Sequence, residues 1–139
     1  MCTTPYIIAQ NHNMVSINTA VQIDLTGQIC SESLGSRQYS GTGGATDFAA
    51  GAYMSPGGRG IVVITSTAKN GTVSKIQPIL SPGSVVSISR NWADCIVTEY
   101  GVAHLKGATI RQRVERLIAI AHPDFRAELR KQADKLMLW

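Results

Sequence analysis

The run GIVVIT, Gly60 to Thr65, limits the fold more than any other stretch of the 139 residues. Ile61, Val62, Val63 and Ile64 are consecutive β-branched residues with no polar alternation, which predicts a short strand covered on both faces. Strands of that kind belong to parallel or mixed sheets packed between layers of helices. SVVSIS (Ser84 to Ser89) and CIVT (Cys95 to Thr98) repeat the character. VSINTAVQID, Val15 to Asp24, is also extended, with Val15, Ile17, Val21 and Ile23 on alternating positions. Turn chemistry separates these runs: SPGG from Ser55, KNG from Lys69 and SPG from Ser81.

Helical patterning comes late. Thr109, with Gln112 three residues on, predicts a capping box. Ile110, Val114, Leu117, Ile118 and Ala121 then recur at helical spacing and form one apolar stripe. Pro123 disfavours helical geometry at His122 and suits the first turn of a second helix carrying Phe125 and Leu129. A shorter helix is expected after the glycines at 41–44. The chain therefore reads as one α/β domain over residues 1–139, a mostly parallel or mixed open sheet covered by helices.

Only 16% of residues are charged, below the usual quarter, which implies that part of the surface is normally covered. The net charge of +4 sits entirely from Lys106 onward, interleaved with Glu115, Glu128 and Asp134. That pattern reads first as a solvated helix face. No basic segment precedes an apolar stretch near the N-terminus, and no apolar run approaches the roughly 20 residues that span a bilayer. Cys2, Cys30 and Cys95 are odd in number and lack CxxC spacing, so they read as free thiols of a reducing cytosol. His12, His104 and His122 have no paired spacing, and no metal site is indicated.

Four segments could carry chemistry. In SGTGGATDFAAGA, Ser40 to Ala52, bare glycine backbone lets N–H groups converge on an anion, and a following helix N-terminus adds positive dipole. A phosphate or the oxyanion of an acyl-transfer step would fit. The dinucleotide fingerprint fails, because Thr46 stands where its last glycine belongs, and taken alone the cluster reads as a loop. Asp47 reads as a first-turn acid favoured by the dipole. STAKNGTVSKI, Ser66 to Ile76, follows a buried strand, where ligands of open α/β sheets lie. There Lys69 is a phosphate contact or a solvated turn residue, with Ser66 and Thr67 as donors. Glu99 in TEYG is a rim residue or a working carboxylate. Asn18 interrupts an apolar strand, and a buried amide must find a partner. No nucleophile stands out; GxSxG and Cys–His motifs are absent and the glutamates are dispersed.

Five segments in this order resemble the C-terminal domain of the acetyl-CoA hydrolase/transferase family. They are SINTAVQIDLTGQICSE, GTGGATDFAAGA, STAKNGTVSKI, VTEYGVAHLKG and RQRVERLIAIAHPDFR, and together they cover nearly everything from Val15 to Leu129. The resemblance implies a CoA-transferase-like (NagB/RpiA-like) fold in a two-domain, dimeric enzyme. Such enzymes move CoA between an acyl-CoA and a small carboxylic acid through a glutamyl-CoA thioester. It places Gly43 and Gly44 at the thioester as oxyanion donors, and Asn18 beside the glutamate nucleophile. Gly41, Ser66, Thr67, Lys69 and Asn70 flank the CoA, and Glu99 stands at the rim. No segment here matches the nucleophile, which implies that it and the N-terminal domain lie outside this chain. The isolated chain is then expected to be inactive. Gln22, where an acid is frequent in relatives, is expected on a solvent or interface face. Two other readings stay open: a free-standing CoA or acyl-CoA binding module, and, ranked last, a nucleic-acid binder using the basic tail. Leu136, Met137, Leu138 and Trp139 form an apolar end expected to self-associate or to dock on the absent domain.

Overall fold

A computed structural model describes residues 4–139; Cys2 lies outside them. In chain order the elements are α1 (Pro5–Ala9), β1 (Val15–Thr19), β2 (Gln22–Asp24), β3 (Ile29–Cys30), β4 (Ser33–Leu34) and β5 (Arg37–Gln38). Then come α2 (Ala45–Met54), β6 (Arg59–Val63), β7 (Thr67–Ala68), β8 (Val73–Ser74) and β9 (Ile76–Gln77). The chain closes with β10 (Cys95–Thr98), β11 (Gly101–His104), α3 (Ile110–Ala119) and α4 (Pro123–Lys135). Among the described residues the main sheet has the order β1-β6-β10-β11. Strand β6 pairs in parallel with β1 and with β10, while β10 and β11 form an antiparallel hairpin. A smaller sheet, β3-β2-β9, packs beside it. This is the mixed α/β architecture expected.

One face of the main sheet is the core. Val62, Ile96 and Ala103 are buried there with Val114, Leu117 and Ile118 of α3 and Leu129 and Ala133 of α4. The late helices follow their sequence signals. Thr109 and Gln112 form the reciprocal capping box, and His122 caps α4 with Pro123 in its first turn. Three expected turns also hold, with Gly57, Gly71 and Gly83 all at positive φ.

The other face departs from expectation. Strand alternation puts Val15, Ile17, Ile61, Val63, Val97 and Val102 together on it. Ile17 is 68% exposed, Val15 50%, Val102 49% and Val63 39%, whereas the polar Ser16 is buried on the core side. GIVVIT was expected to be covered twice and is covered once. Its residues have the composition of a two-sided burial, and the described residues supply one layer of helices.

Three smaller readings are also corrected. SVVSIS is not a strand: only Ile88 makes a bridge, to Ile29, while Val85 and Val86 are exposed. Gln22 is buried, not on a solvent face; its amide donates to Ser81 Oγ at 3.0 Å and accepts from Ser81 N at 2.8 Å. At the chain end Leu136, Met137 and Trp139 are exposed, but Leu138 packs on the core. Helix α1 had no sequence signal read for it. Its Ile8 lies against Gly51 of α2, where a Cβ would sit 2.5 Å from Ile8 Cβ and 3.2 Å from Pro5 O.

That approach decides the sign of a substitution. Replacing glycine by alanine inside an exposed helix ordinarily stabilises by roughly 0.5–1 kcal/mol. Gly51→Ala is expected instead to destabilise by about 1–3 kcal/mol, because α1 must shift to admit the methyl. Urea denaturation of the two proteins checks it, and a rise in midpoint would contradict the packing. Ile96→Ala, in the same assay, is expected to cost about 2–5 kcal/mol.

Candidate functional site

The parallel pairing of β1, β6 and β10 brings their carboxyl ends to one edge, carrying Asn18 and Thr19, the chain entering Ser66, and Glu99. Ligands of open α/β sheets bind at such an edge. Next to it, Asp24 organises a tight turn. Its carboxylate accepts from Thr26 N (2.9 Å), Thr26 Oγ1 (2.8 Å), Gln28 N (3.0 Å) and Gln28 Nε2 (2.7 Å). Gly27 completes the turn at φ 95°. The turn returns β3 antiparallel to β2 and delivers Ser31 and Glu32 to the end of β1.

A cavity of about 400 Å³ opens there, lined by Asn18, Ser31, Glu32, the segment Ser40–Thr46 and Val85–Ser87. Gly41, Gly43 and Gly44 all lie on its wall. A Cβ at Gly43 would meet no atom within 4 Å, and the backbone there is not left-handed. Neither packing nor φ explains glycine at 43; what it leaves is open space beside the backbone. Gly44 is the N-cap of α2, and no side chain caps that helix, so its first amides are without a side-chain acceptor. Asp47 occupies the first turn as expected.

Asn18 is half-buried rather than enclosed and faces this cavity. Its amide makes no hydrogen bond among the described residues, because the strand is at the sheet edge and the side chain reaches open space. Ser31 Oγ is shielded from solvent on the same wall and likewise has no partner among the described residues.

The other expected residues form a separate group. Ser66 is fully buried, its amide donating to Glu99 Oε2 at 2.9 Å and its hydroxyl to Glu99 Oε1 at 2.6 Å. Both Ser66 donors are thereby used within the chain. Lys69 and Asn70 are exposed, both at positive φ, in the turn between β7 and β8. Thr67 lies in β7. None of Ser66, Thr67, Lys69, Asn70 or Glu99 lines the glycine cavity. Thr98 Oγ1 donates to Ile120 O at 2.6 Å and accepts from Tyr100 N, which pins the Glu99 turn to the end of α3.

Cys95 lies at the opposite end of β10, its Sγ 3.4 Å from His104 Nδ1 and 3.6 Å from Asp94 Oδ1. Burial and the Asp94 carboxylate push its thiol up, so Cys95 is not an activated nucleophile. Cys30 and Cys95 are both free and buried. Among the described residues no three His, Cys, Asp or Glu side chains gather as metal ligands. No helix there is long and apolar enough to cross a membrane.

Glu32 and Ser31 went unread as site residues. The signal was slight, an acid two residues after Cys30, and the meeting of residue 32 with residues 40–46 is made by tertiary contacts.

The Ser66 clamp has a pH signature. The Ser66 hydroxyl hydrogen bond, helped by the Ser66 amide and by nearby His122, holds the Glu99 carboxyl below the usual carboxylate range against partial desolvation. A depressed carboxyl keeps its bonds above its ordinary pKa and loses them as pH falls through the lowered folded value. The Ser66 amide resonance is expected to stay constant from neutral pH down through the ordinary glutamate range and to move only below it. In Glu99→Gln that acid step should vanish.

Residues 1–133 match the family described as the acetyl-CoA hydrolase/transferase C-terminal domain. The chain is 56% identical over 131 residues to the 4-hydroxybutyrate coenzyme A transferase of Clostridium kluyveri, covering 94% of this chain and 30% of that protein. It is 54% identical over 132 residues to the succinyl-CoA:cyclohexane-1-carboxylate CoA transferase of Geobacter metallireducens, with 95% and 30% covered. The crystal structure of RipA from Yersinia pestis superposes with a TM-score of 0.91 at 49% identity, covering 99% of this chain and 31% of that one. The chain thus spans about a third of the length of these relatives. On sequence and fold alike, it belongs to the acetyl-CoA hydrolase/transferase family and corresponds to its C-terminal domain.

Proposed function

We propose that residues 1–139 form a single domain supplying one wall of an acyl-CoA site. The whole protein would transfer CoA between an acyl-CoA and a small carboxylic acid. The observation that carries this reading is the cavity at the end of β1, where open glycine backbone and the uncapped N-terminus of α2 converge. Those groups suit a thioester carbonyl: amides of Gly43 and Gly44 would donate to its oxygen as negative charge develops. Attack by a glutamate carboxylate would expel the CoA thiolate and leave an acyl–glutamyl anhydride. The returning thiolate would then release the acyl carboxylate and form the glutamyl-CoA thioester. Asn18, with its amide facing the cavity, would orient the attacking carboxylate. Gly41 and the Ser66–Asn70 loop would flank the CoA, Lys69 as its charged contact and Thr67 beside it, and Glu99 would hold that loop through Ser66.

The attacker would come from the part of the longer protein that precedes this domain. The bare sheet face, apolar from Val15 across to Val102, is where that part would pack. It supports the requirement for a second piece independently of the chemistry.

Two measurements test the reading. Acetyl-CoA titrated into the chain by calorimetry is expected to bind, with Gly43→Val weakening it at least about tenfold while leaving the melting temperature unchanged, since the space is open. Absence of binding at millimolar ligand, or equal binding by the variant, would overturn it. Acyl transfer to acetate is expected to be absent from the chain alone. It should appear on adding the preceding two thirds of a family member, unless Ile17→Lys and Val63→Lys are present. Normal turnover by the isolated chain would sink the proposal that the nucleophile lies elsewhere.

A further inference from the structure

Glu32 is buried on the cavity wall, with no cation bonded to its carboxylate among the described residues. Its bonds reach the upstream end of the glycine segment directly and the downstream end through Ser87. Towards the upstream end, Glu32 O accepts from Tyr39 N at 2.8 Å and from Ser40 N at 3.3 Å. Glu32 Oε1 accepts from Gln38 Nε2 at 3.2 Å, and the same amide donates to Ser40 O at 2.6 Å. Towards the downstream end, Glu32 Oε2 accepts from Ser87 Oγ at 3.3 Å. Ser87 Oγ itself accepts from Ser31 N at 2.9 Å, and Ser87 O accepts from Thr46 Oγ1 in the first turn of α2. Between those anchors, Gly41 and Gly43 have no neighbouring atoms where a side chain would be. The loop that lines the cavity is therefore held at its ends.

We propose that Glu32 is a positioning residue that fixes the Ser40–Thr46 segment and so aims the Gly43 and Gly44 amides. A carboxylate suits the place because both oxygens only accept, matching the two donors that reach it. Glutamine would offer Ser87 a donor in exchange for an acceptor, and alanine would leave the Ser87 hydroxyl and one of the two Gln38 amide hydrogens unanswered. Both oxygens are engaged within the chain, so Glu32 acts through the backbone it holds and not by touching substrate. The consequence for a thioester rests on the acyl-CoA reading above; the anchoring does not.

The test uses the ligand-free chain first. Backbone ¹⁵N relaxation is expected to give Gly43 and Gly44 order parameters near the rigid value of about 0.85, falling below about 0.6 in Glu32→Ala. Amides of Ile96 and Leu117 should be unchanged, and Glu32→Gln should fall between. Ser87→Ala removes the hydroxyl that joins Glu32 Oε2 to Ser31 N while leaving the upstream bonds and the Ser87 carbonyl in place, so Thr46 should loosen while Ser40 stays ordered. Unchanged glycine order in Glu32→Ala overturns the proposal, as does a loss spread equally over the core amides. Should Glu32→Ala not fold, the Glu32→Gln and Ser87→Ala measurements decide alone. In a second step, Glu32→Gln is expected to weaken acetyl-CoA binding about tenfold and free CoA binding less, because only the thioester needs aimed amides. Equal weakening of both ligands counts against the proposal. Failure of the unmodified chain to bind either ligand bears on the acyl-CoA reading, and the relaxation result still judges Glu32.

Discussion

Parallel pairing of β6 with β1 on one side and β10 on the other fixes everything else in this molecule. Because the three strands run the same way, their carboxyl ends must emerge at one edge. Asn18, Ser66 and Glu99, far apart in sequence, share that edge for this reason alone. The pleat then divides each strand between two faces, so the choice of core residues on β6 dictates which residues of β1 and β10 are left outside. Val62 and Ile96 go in, and Ile17, Val63 and Val102 go out.

That division explains the sparse charge of the chain better than any local property does. An exposed face of Val and Ile is a poor surface for a free domain and an ordinary interior for a larger one. The relatives, about three times longer, are in keeping with such an interior. The glycine cavity has the same incomplete character. Among the described residues its wall carries open glycine backbone, an Asn18 side chain without a partner and a shielded Ser31 hydroxyl, and its buried carboxylate, Glu32, is already bonded within the chain. On the proposed reading, such a wall without a free attacking group would be one half of an acyl-transfer site.

The legible parts of the sequence were those governed by near neighbours. The Thr109–Gln112 box, the His122–Pro123 start, the glycine turns and the stripe on α3 all depend on residues within a few positions. The Asp24 turn went unread although its four bonds reach no farther than Gln28. Gln22 and Glu32 were not legible, because Gln22 bonds Ser81, 59 positions away, and Glu32 bonds Ser87, 55 positions away. SVVSIS failed for a related reason. Its valines match a strand by composition, but the chain there serves as cavity wall and has one bridge to pair with.

By itself, then, the sequence determined that the chain forms α/β structure, where its late helices start, and that open glycine backbone precedes α2. Those follow from β-branching, capping and chirality, which act over a turn or a strand. Only the tertiary structure decided that Glu32 bonds the start of the glycine segment and, through Ser87, reaches its end, and that Ser66 is turned inward onto Glu99. It also decided which side of GIVVIT is bare. Each depends on contacts between distant segments, and a run of apolar residues records that burial is wanted without recording which layer provides it.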